Sequence, residues 1–180
     1  MDHLSSGVSR ARRALESSSR FPGGALPSDI SDSWSHSQSI GLDSLARPEA
    51  VVQTARALGD HRQRHADLIR FARSELAVLY DQIAGTNLMI ALGASDGVVP
   101  DTLTDSQLGD TDAGPAVIPG SVWTEKMRGT NALGLCITTC RPAQVYGGEL
   151  FLRARQDLSC ISMPIFDGRG GMTGVLDASS

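Results

Sequence analysis

Between residues 60 and 83 the apolar side chains Leu68, Phe71, Leu76, Leu79 and Ile83 recur at spacings of three to five, the stripe of an amphipathic helix, with Gly85 placed to end it. The pattern then changes period. The run NLMIAL at 87–92 predicts a buried strand, Ala94-Ser95-Asp96-Gly97 a hairpin turn, and Val98-Val99 the start of the partner strand. Residues 101–120 mix Asp, Thr, Gly and Pro without periodicity, as binding loops and lids do. After Gly120 a helical stretch is expected, followed by a second helix that Thr130 or Asn131 caps and that carries Leu133, Cys136 and Ile137. Residues 143–146 predict a strand closed by Gly147-Gly148, and 150–156 a short helix. In the strand predicted over 159–166, Cys160, Ser162 and Pro164 share one face while Ile161, Met163 and Ile165 share the other. The turn Asp167-Gly168-Arg169-Gly170-Gly171 leads to a hairpin partner over 172–178.

The first third is more broken. Residues 1–28 are rich in Ser, Arg, Gly and Pro and predict a flexible tail, with Arg10, Arg12 and Arg13 on a solvated face. A helical lead-in over 29–59 follows. Its first helix, over 28–39, carries Ile30 and Trp34. Its second is opened by Pro48, runs through Val51, Val52, Ala55 and Leu58, and ends at Gly59. The remaining residues, 60–180, form one domain. Helices interleaved with antiparallel hairpins give an α+β class, a sheet with helices on its faces.

Composition removes several function classes. The net charge of −4, with a pI near 5.5, is the wrong sign for neutralising phosphates, and 4% aromatic residues supply few stacking platforms. No run of about 18 apolar residues could span a bilayer, and the Ser- and Arg-rich start lacks a secretory core, so a cytoplasmic location is expected. Cys136, Cys140 and Cys160 form an odd set without a Cys-x-x-Cys pair, which fits a reducing compartment. There is no Gly-x-x-x-x-Gly-Lys loop, no Gly-x-Ser-x-Gly elbow and no acid–base pair, so neither ATP hydrolysis nor another catalytic activity is expected.

Five ordered blocks match one family. Ser33-Trp34-Ser35-His36-Ser37 with Gly41-Leu42-Asp43 comes first. Gly120-Ser121-Val122-Trp123-Thr124-Glu125 and Gly129-Thr130-Asn131-Ala132-Leu133-Gly134 follow. Gly147-Gly148-Glu149-Leu150-Phe151 is the fourth block, and Leu158-Ser159-Cys160 through Met163-Pro164-Ile165 with Gly174-Val175-Leu176-Asp177 closes the series. Over about residues 30–179 the chain resembles the GAF-type sensory domain of sigma-54-dependent transcriptional activators akin to the acetoin dehydrogenase operon activator. Position 150 is Leu where that family has His, and position 36 is His where it has Arg. The family's closing helix also has no counterpart before Ser180. The resemblance implies a GAF-like antiparallel sheet with a helical N-terminal extension. It implies a sensor of a small metabolite such as a ketone, diol or alcohol, which relays to an AAA+ ATPase module in cis or in trans. A homodimer built on the 60–83 helix is expected, with no direct contact to nucleic acid or membrane.

A small-molecule site needs apolar walls and a few converging polar groups. Trp123, Glu125, Thr130, Asn131, Cys160 and Ser162 are therefore the expected ligand-binding residues, in a cleft between the sheet and segment 120–137. The competing reading makes Trp123 core, Thr130-Asn131 a helix cap and Glu125 a solvated side chain. No cofactor and no metal are expected. His61 and His65, at i and i+4 on a helix, lack an evident third ligand and fit a solvated face, and the spacing of Asp96, Asp101, Arg128 and Cys136 does not support an iron site. The three cysteines leave open a GAF-fold reductase of free methionine sulfoxide, or a module that binds only protein. Packing is the simpler use of free cysteine.

Overall fold

Alternation along the last two strands explains why the chain builds a sheet that is covered on both sides. In β5 (Met172–Ser179), Val175, Asp177 and Ser179 point one way and Leu176 the other, and β4 (Ser159–Phe166) alternates in step with it. β1 (Met89–Ala94) is buried along its whole length, with Met89 and Ala91 on one face and Ile90 and Leu92 on the other. β2 (Asp101–Thr104) and β3 (Ala143–Tyr146) form the edges, giving an antiparallel five-stranded sheet in the order β2-β1-β5-β4-β3. This computed structural model describes residues 2–17, 24–47, 51–83, 85–86, 88–104 and 117–180. The α+β architecture expected from the sequence is the one observed.

The stripe of α4 (Ala66–Ile83) covers one face. Leu68, Leu76, Leu79 and Ile83 pack on Ile90, Leu92, Leu103 and Leu176. On the other face, α6 (Ala132–Thr139) lies against β3, β4 and β5. The cluster there reaches outward from Val175, Cys136 and Leu133 to Phe151, Trp34, Ala11 and Leu15. The N-terminal extension thus supplies the outer wall of this half of the core.

The helix expected over 60–83 is two helices. α3 (Ala55–Arg64) ends at His65, whose φ of −105° and ψ of 24° leave the helical region, and α4 begins at Ala66. The helix expected from Pro48 to Gly59 is also corrected. Val51 and Val52 are extended, because Val122 N–H donates to Val51 C=O (3.1 Å) and Gln53 N–H to Gly120 C=O (2.9 Å). β-branched pairs favour such extended backbone. The helix starts only at Ala55, where the Thr54 hydroxyl accepts from Ala57 N–H, and Gly59 lies inside it. Pro48 itself is outside the described residues. The loop over 101–120 contains β2, and its residues 105–116 are outside the described set. The 150–156 helix is replaced by one 3-10 turn, Arg153–Arg155, and a second, Gly147–Glu149, precedes it.

The largest departure is at the start. Where a flexible tail was expected, α1 (Asp2–Glu16) forms a helix, with Ala11 and Leu15 buried. Arg12, expected on a solvated face, is 8% exposed. Its guanidinium donates to the carbonyls of Phe151 (2.6 Å), Gly148 (2.5 Å) and Leu150, and lies 4.5 Å from the Trp34 ring centroid. Trp34 Nε1–H in turn donates to Glu149 C=O (2.7 Å). Burial pulls the Arg12 pKa down to about 10, which leaves it cationic at neutral pH. A fork with five donors is suited to gather several carbonyls of one turn, and α1 and α2 (Ser28–Ser39) are thereby fixed to segment 147–152.

Replacing Arg12 with Ala leaves three carbonyls to compete for other donors and removes the cation from the Trp34 face. A loss of about 2–4 kcal/mol in unfolding free energy is expected, measured by urea denaturation at neutral pH, from charge-assisted bonds of about 1.5–3 kcal/mol each that partly rehydrate. An unchanged midpoint would show that the Arg12 contacts contribute nothing to the fold.

Candidate functional site

Two short helices and the turn between them set the geometry. α5 (Glu125–Arg128) ends at Gly129, which has φ +65°, and a Cβ there would lie 2.6 Å from the Phe151 side chain, so only glycine closes this turn. Asn131 starts α6: its Oδ1 accepts from Gly134 N–H (2.8 Å) and its Nδ2 donates to Gly129 C=O (2.8 Å). At Gly134 a Cβ would come within 2.8 Å of Glu125 N, so the absent side chain lets α6 sit directly on α5. Asn131 therefore serves as the cap that its position suggested, fully inside the fold.

Glu125 and Thr130, two further expected site residues, are buried and brought together. The Ser33 hydroxyl on α2 donates to Glu125 Oε1 and lies 2.6 Å from the Thr130 hydroxyl. A carboxylate and two hydroxyls thus form the seam between the N-terminal extension and the α5–α6 turn. Glu125 is not the solvated side chain of the competing reading.

Trp123 is 3% exposed, and its Nε1–H donates to the Ser121 hydroxyl (3.0 Å). Sequence reasoning did not select its neighbour Arg128, which is also buried and stands 5.4 Å over the Trp123 ring. Its Nε donates only weakly, to Val122 C=O at 3.4 Å, and its buried Nη1 has no hydrogen-bond partner among the described residues. Burial lowers the Arg128 pKa, with Arg155 adding to the effect. Only the combination of an arginine at the end of a four-residue helix with the flanking GTNA turn could have signalled its burial; alone, an arginine in a last turn is the ordinary dipole-favoured surface residue.

Cys160 and Ser162 lie beneath α6, on the face of β4 the sequence assigned them. Ser162 pairs in register with Asp177, and Cys160 with Ser179. Asp177 is buried and receives the Ser162 hydroxyl (2.5 Å) and the Ser179 hydroxyl (2.6 Å). Burial raises its pKa and the two hydroxyl donors oppose the rise. Sequence reasoning named Ser162 but not Asp177, although the alternation in β5 places both on one face.

Burial, reinforced by the charge of Asp177, pushes the Cys136 thiol to about 11 and the Cys160 thiol to about 12. Both stay protonated at neutral pH, and a protonated thiol is neither a nucleophile nor a good metal ligand. Cys140 is exposed but does not continue the helix of Cys136: it is the left-handed cap of α6, with φ 52°.

A groove of about 780 Å³ opens on the opposite side of the sheet, between α4 and the β4–β5 hairpin. Leu68, Phe71, Leu76, Met163, Ile165 and Leu176 are among its walls. None of the six expected ligand residues lines it.

The raised pKa of Asp177 makes stability pH-dependent. The folded protein holds this proton over a range in which the unfolded chain has lost it, so the contribution is full below the ordinary carboxylate value of about 3.9 and is lost as pH rises to the folded value. Asp177→Asn removes that decline. Its thermal unfolding midpoint should fall less than that of the parent between pH 4 and pH 8; parallel curves would mean that Asp177 titrates normally.

The GAF domain family model matches residues 67–180. The acetoin catabolism regulatory protein of Cupriavidus necator is 29% identical over 152 residues, covering 84% of this chain and 23% of its own length. The acetoin dehydrogenase operon transcriptional activator AcoR of Bacillus subtilis is 26% identical, covering 83% of this chain and 25% of its own. The propane 2-monooxygenase operon transcriptional activator MimR of Mycolicibacterium smegmatis is 24% identical over 87% of this chain and 26% of its own. The chain thus spans about a quarter of the length of these relatives. Among solved structures, that of the E. coli DhaR(N)–DhaL complex superposes with a TM-score of 0.79 over 85% of this chain and 52% of the other, at 16% identity, which supports the fold. Matched over most of its length, with the sheet and flanking helices in place, the chain belongs to the GAF domain family.

Proposed function

We propose that this chain is the small-molecule-sensing domain of a bacterial transcription activator of the sigma-54-dependent type, with the guest held between the sheet and segment 120–137. The observation that carries the reading is Arg128 Nη1, a buried donor with no acceptor among the described residues, beside the face of Trp123. Buried polar groups are almost always paired, and an unpaired donor beside an aromatic face is one that a guest's acceptor can satisfy. A ketone, diol or alcohol offers one or two such oxygens with a small apolar body, and Trp123 supplies the apolar wall. Thr130, Glu125 and Ser33 add hydroxyl and carboxylate partners, Ser162 and Cys160 lie on the sheet floor, and Asn131 holds the α6 start in place.

Such a guest has an obvious route to a signal. The Ser33–Glu125–Thr130 contact joins α2 to the α5–α6 turn, so a guest hydroxyl that exchanges with Ser33 changes how the N-terminal extension sits on the core. Only a difference in affinity between the two packings can shift their balance; a tenfold ratio is worth about 1.4 kcal/mol. The receiver in this reading is an AAA+ ATPase module, in cis or in trans, and the domain itself is not an enzyme. This accords with the regulatory names of the relatives, with the protonated buried thiols, which disfavour the reductase alternative, and with the finding that no described helix is long and apolar enough to cross a membrane. A homodimer is part of the proposal: Phe71 and Val78 of α4 are 68% and 55% exposed.

Thermal unfolding with acetoin-like ketones, vicinal diols, short alcohols and simple aromatics tests the reading. At least one class should raise the midpoint with concentration, as a ligand selective for the folded state must. Arg128→Met removes a buried, incompletely paired charge, so the variant should stay folded while its affinity for that compound falls at least about tenfold, the loss of one charged hydrogen bond. No stabilisation by any class, or equal affinity in Arg128→Met, would contradict the assignment.

A further inference from the structure

The junction that splits the long helix in two brings together residues that the sequence left apart. His61, in the last turn of α3, is fully buried, and His65 is the residue between α3 and α4. Their rings lie 4.4 Å apart between centroids, tilted by 32°. Asp96, in the turn after β1, approaches the same place: His61 Nε2 is 3.0 and 3.1 Å from its two carboxylate oxygens. One donor atom from each of the three residues lies within 4.8 Å of the others. The fold has thus supplied the third ligand that sequence spacing alone did not reveal, and the expected solvated face for His61 is corrected.

We propose that His61, His65 and Asp96 bind one divalent first-row metal ion of the zinc class, which ties the α3–α4 junction to the β1–β2 turn. Two imidazoles and a carboxylate are the donor set of open zinc sites, in which water fills the remaining position. Ligands at about 2.0–2.1 Å from a tetrahedral ion stand about 3.3 Å apart, so the His61–Asp96 separation needs to widen by only a few tenths of an ångström.

Two local features suit an ion. The Asp96 side chain is 46% exposed, which lets an ion enter and water complete its shell. Asp96 Oδ1 also accepts from Val98 N–H (3.1 Å), which orients the carboxylate as outer-shell partners do in metal sites. A simple ion pair with Asp96 would use one ring nitrogen and would give His65 no part. Of the two neighbouring arginines, Arg62 is turned away, its Nε donating to Pro100 C=O (2.8 Å), while Arg64 faces His65 as a charge that a bound ion must outweigh.

The test is a titration of the whole chain, stripped with a chelator, with cobalt(II) as the spectroscopic probe and zinc(II) in competition. One ion per chain should bind, with visible absorption bands of a four- or five-coordinate site that zinc abolishes. His65→Phe keeps a ring in the stack and leaves the His61–Asp96 pair, and Asp96→Asn keeps the shape of the turn. Each should weaken binding by about a hundredfold or more, since even an outer-shell loss costs 10–100-fold. Circular dichroism checks that both variants fold. No cobalt binding by the parent chain, or binding undiminished in the folded His65→Phe and Asp96→Asn proteins, overturns the proposal. It does not depend on the ligand site near Arg128.

Discussion

A sheet whose central strands are apolar on both faces must be covered twice, and this constraint organises the whole chain. β1 presents Ile90 and Leu92 to one side and Met89 and Ala91 to the other, with all four buried. α4 meets the first demand. The second exceeds what α6 can cover in its eight residues, and the N-terminal extension completes it through Trp34, Ile30, Ala11 and Leu15. Burial of this kind is worth about 25 cal/mol per Å² of apolar surface, so a wall contributed by α1 and α2 belongs to the stability of the core.

In the proposed reading, regulation enters through the polar groups that this burial encloses. The Ser162–Asp177–Ser179 set is saturated internally and fixes β4 against β5. The Ser33–Glu125–Thr130 set spans two parts of the chain far apart in sequence, so a change at one is felt at the other. Arg128 is the least satisfied of the buried side chains near it. An interior that holds a saturated set, a bridging set and, at Arg128, an unpaired donor suits a domain that responds to a guest. A purely structural core would gain by replacing Arg128 with an apolar residue.

The sheet and its faces were legible in the sequence because period-two alternation survives in β4 and β5 and because Gly97 and the Asp167–Gly171 turn punctuate the strands. Of the six candidate residues, the blocks around Trp123 and Asn131 picked out four and the face of β4 two; their burial on the α6 side of the sheet is what the sequence conveyed. What could not be read depended on distant partners. Arg12 looks solvated beside Arg10 and Arg13; only the carbonyls of segment 147–152 make it a buried anchor. Val51 and Val52 look helical after Pro48, and pairing with segment 120–122 makes them extended. His61 and His65 lacked a third ligand until the β1–β2 turn brought Asp96 to them. The expected helix break lay at Gly59, whereas the chain turns at His65, where the helix must redirect to lie on the sheet.

In the proposed sensor, a guest enters the α6 side of the sheet and is felt by the N-terminal extension. Amide chemical-shift mapping of the isotope-labelled chain, titrated with a stabilising ketone or diol, tests it most directly. The largest shifts are expected at 123–136 and around Asp177, with smaller ones near Ser33. Shifts confined to α4 and the β4–β5 hairpin would put the guest in the opposite groove and contradict it.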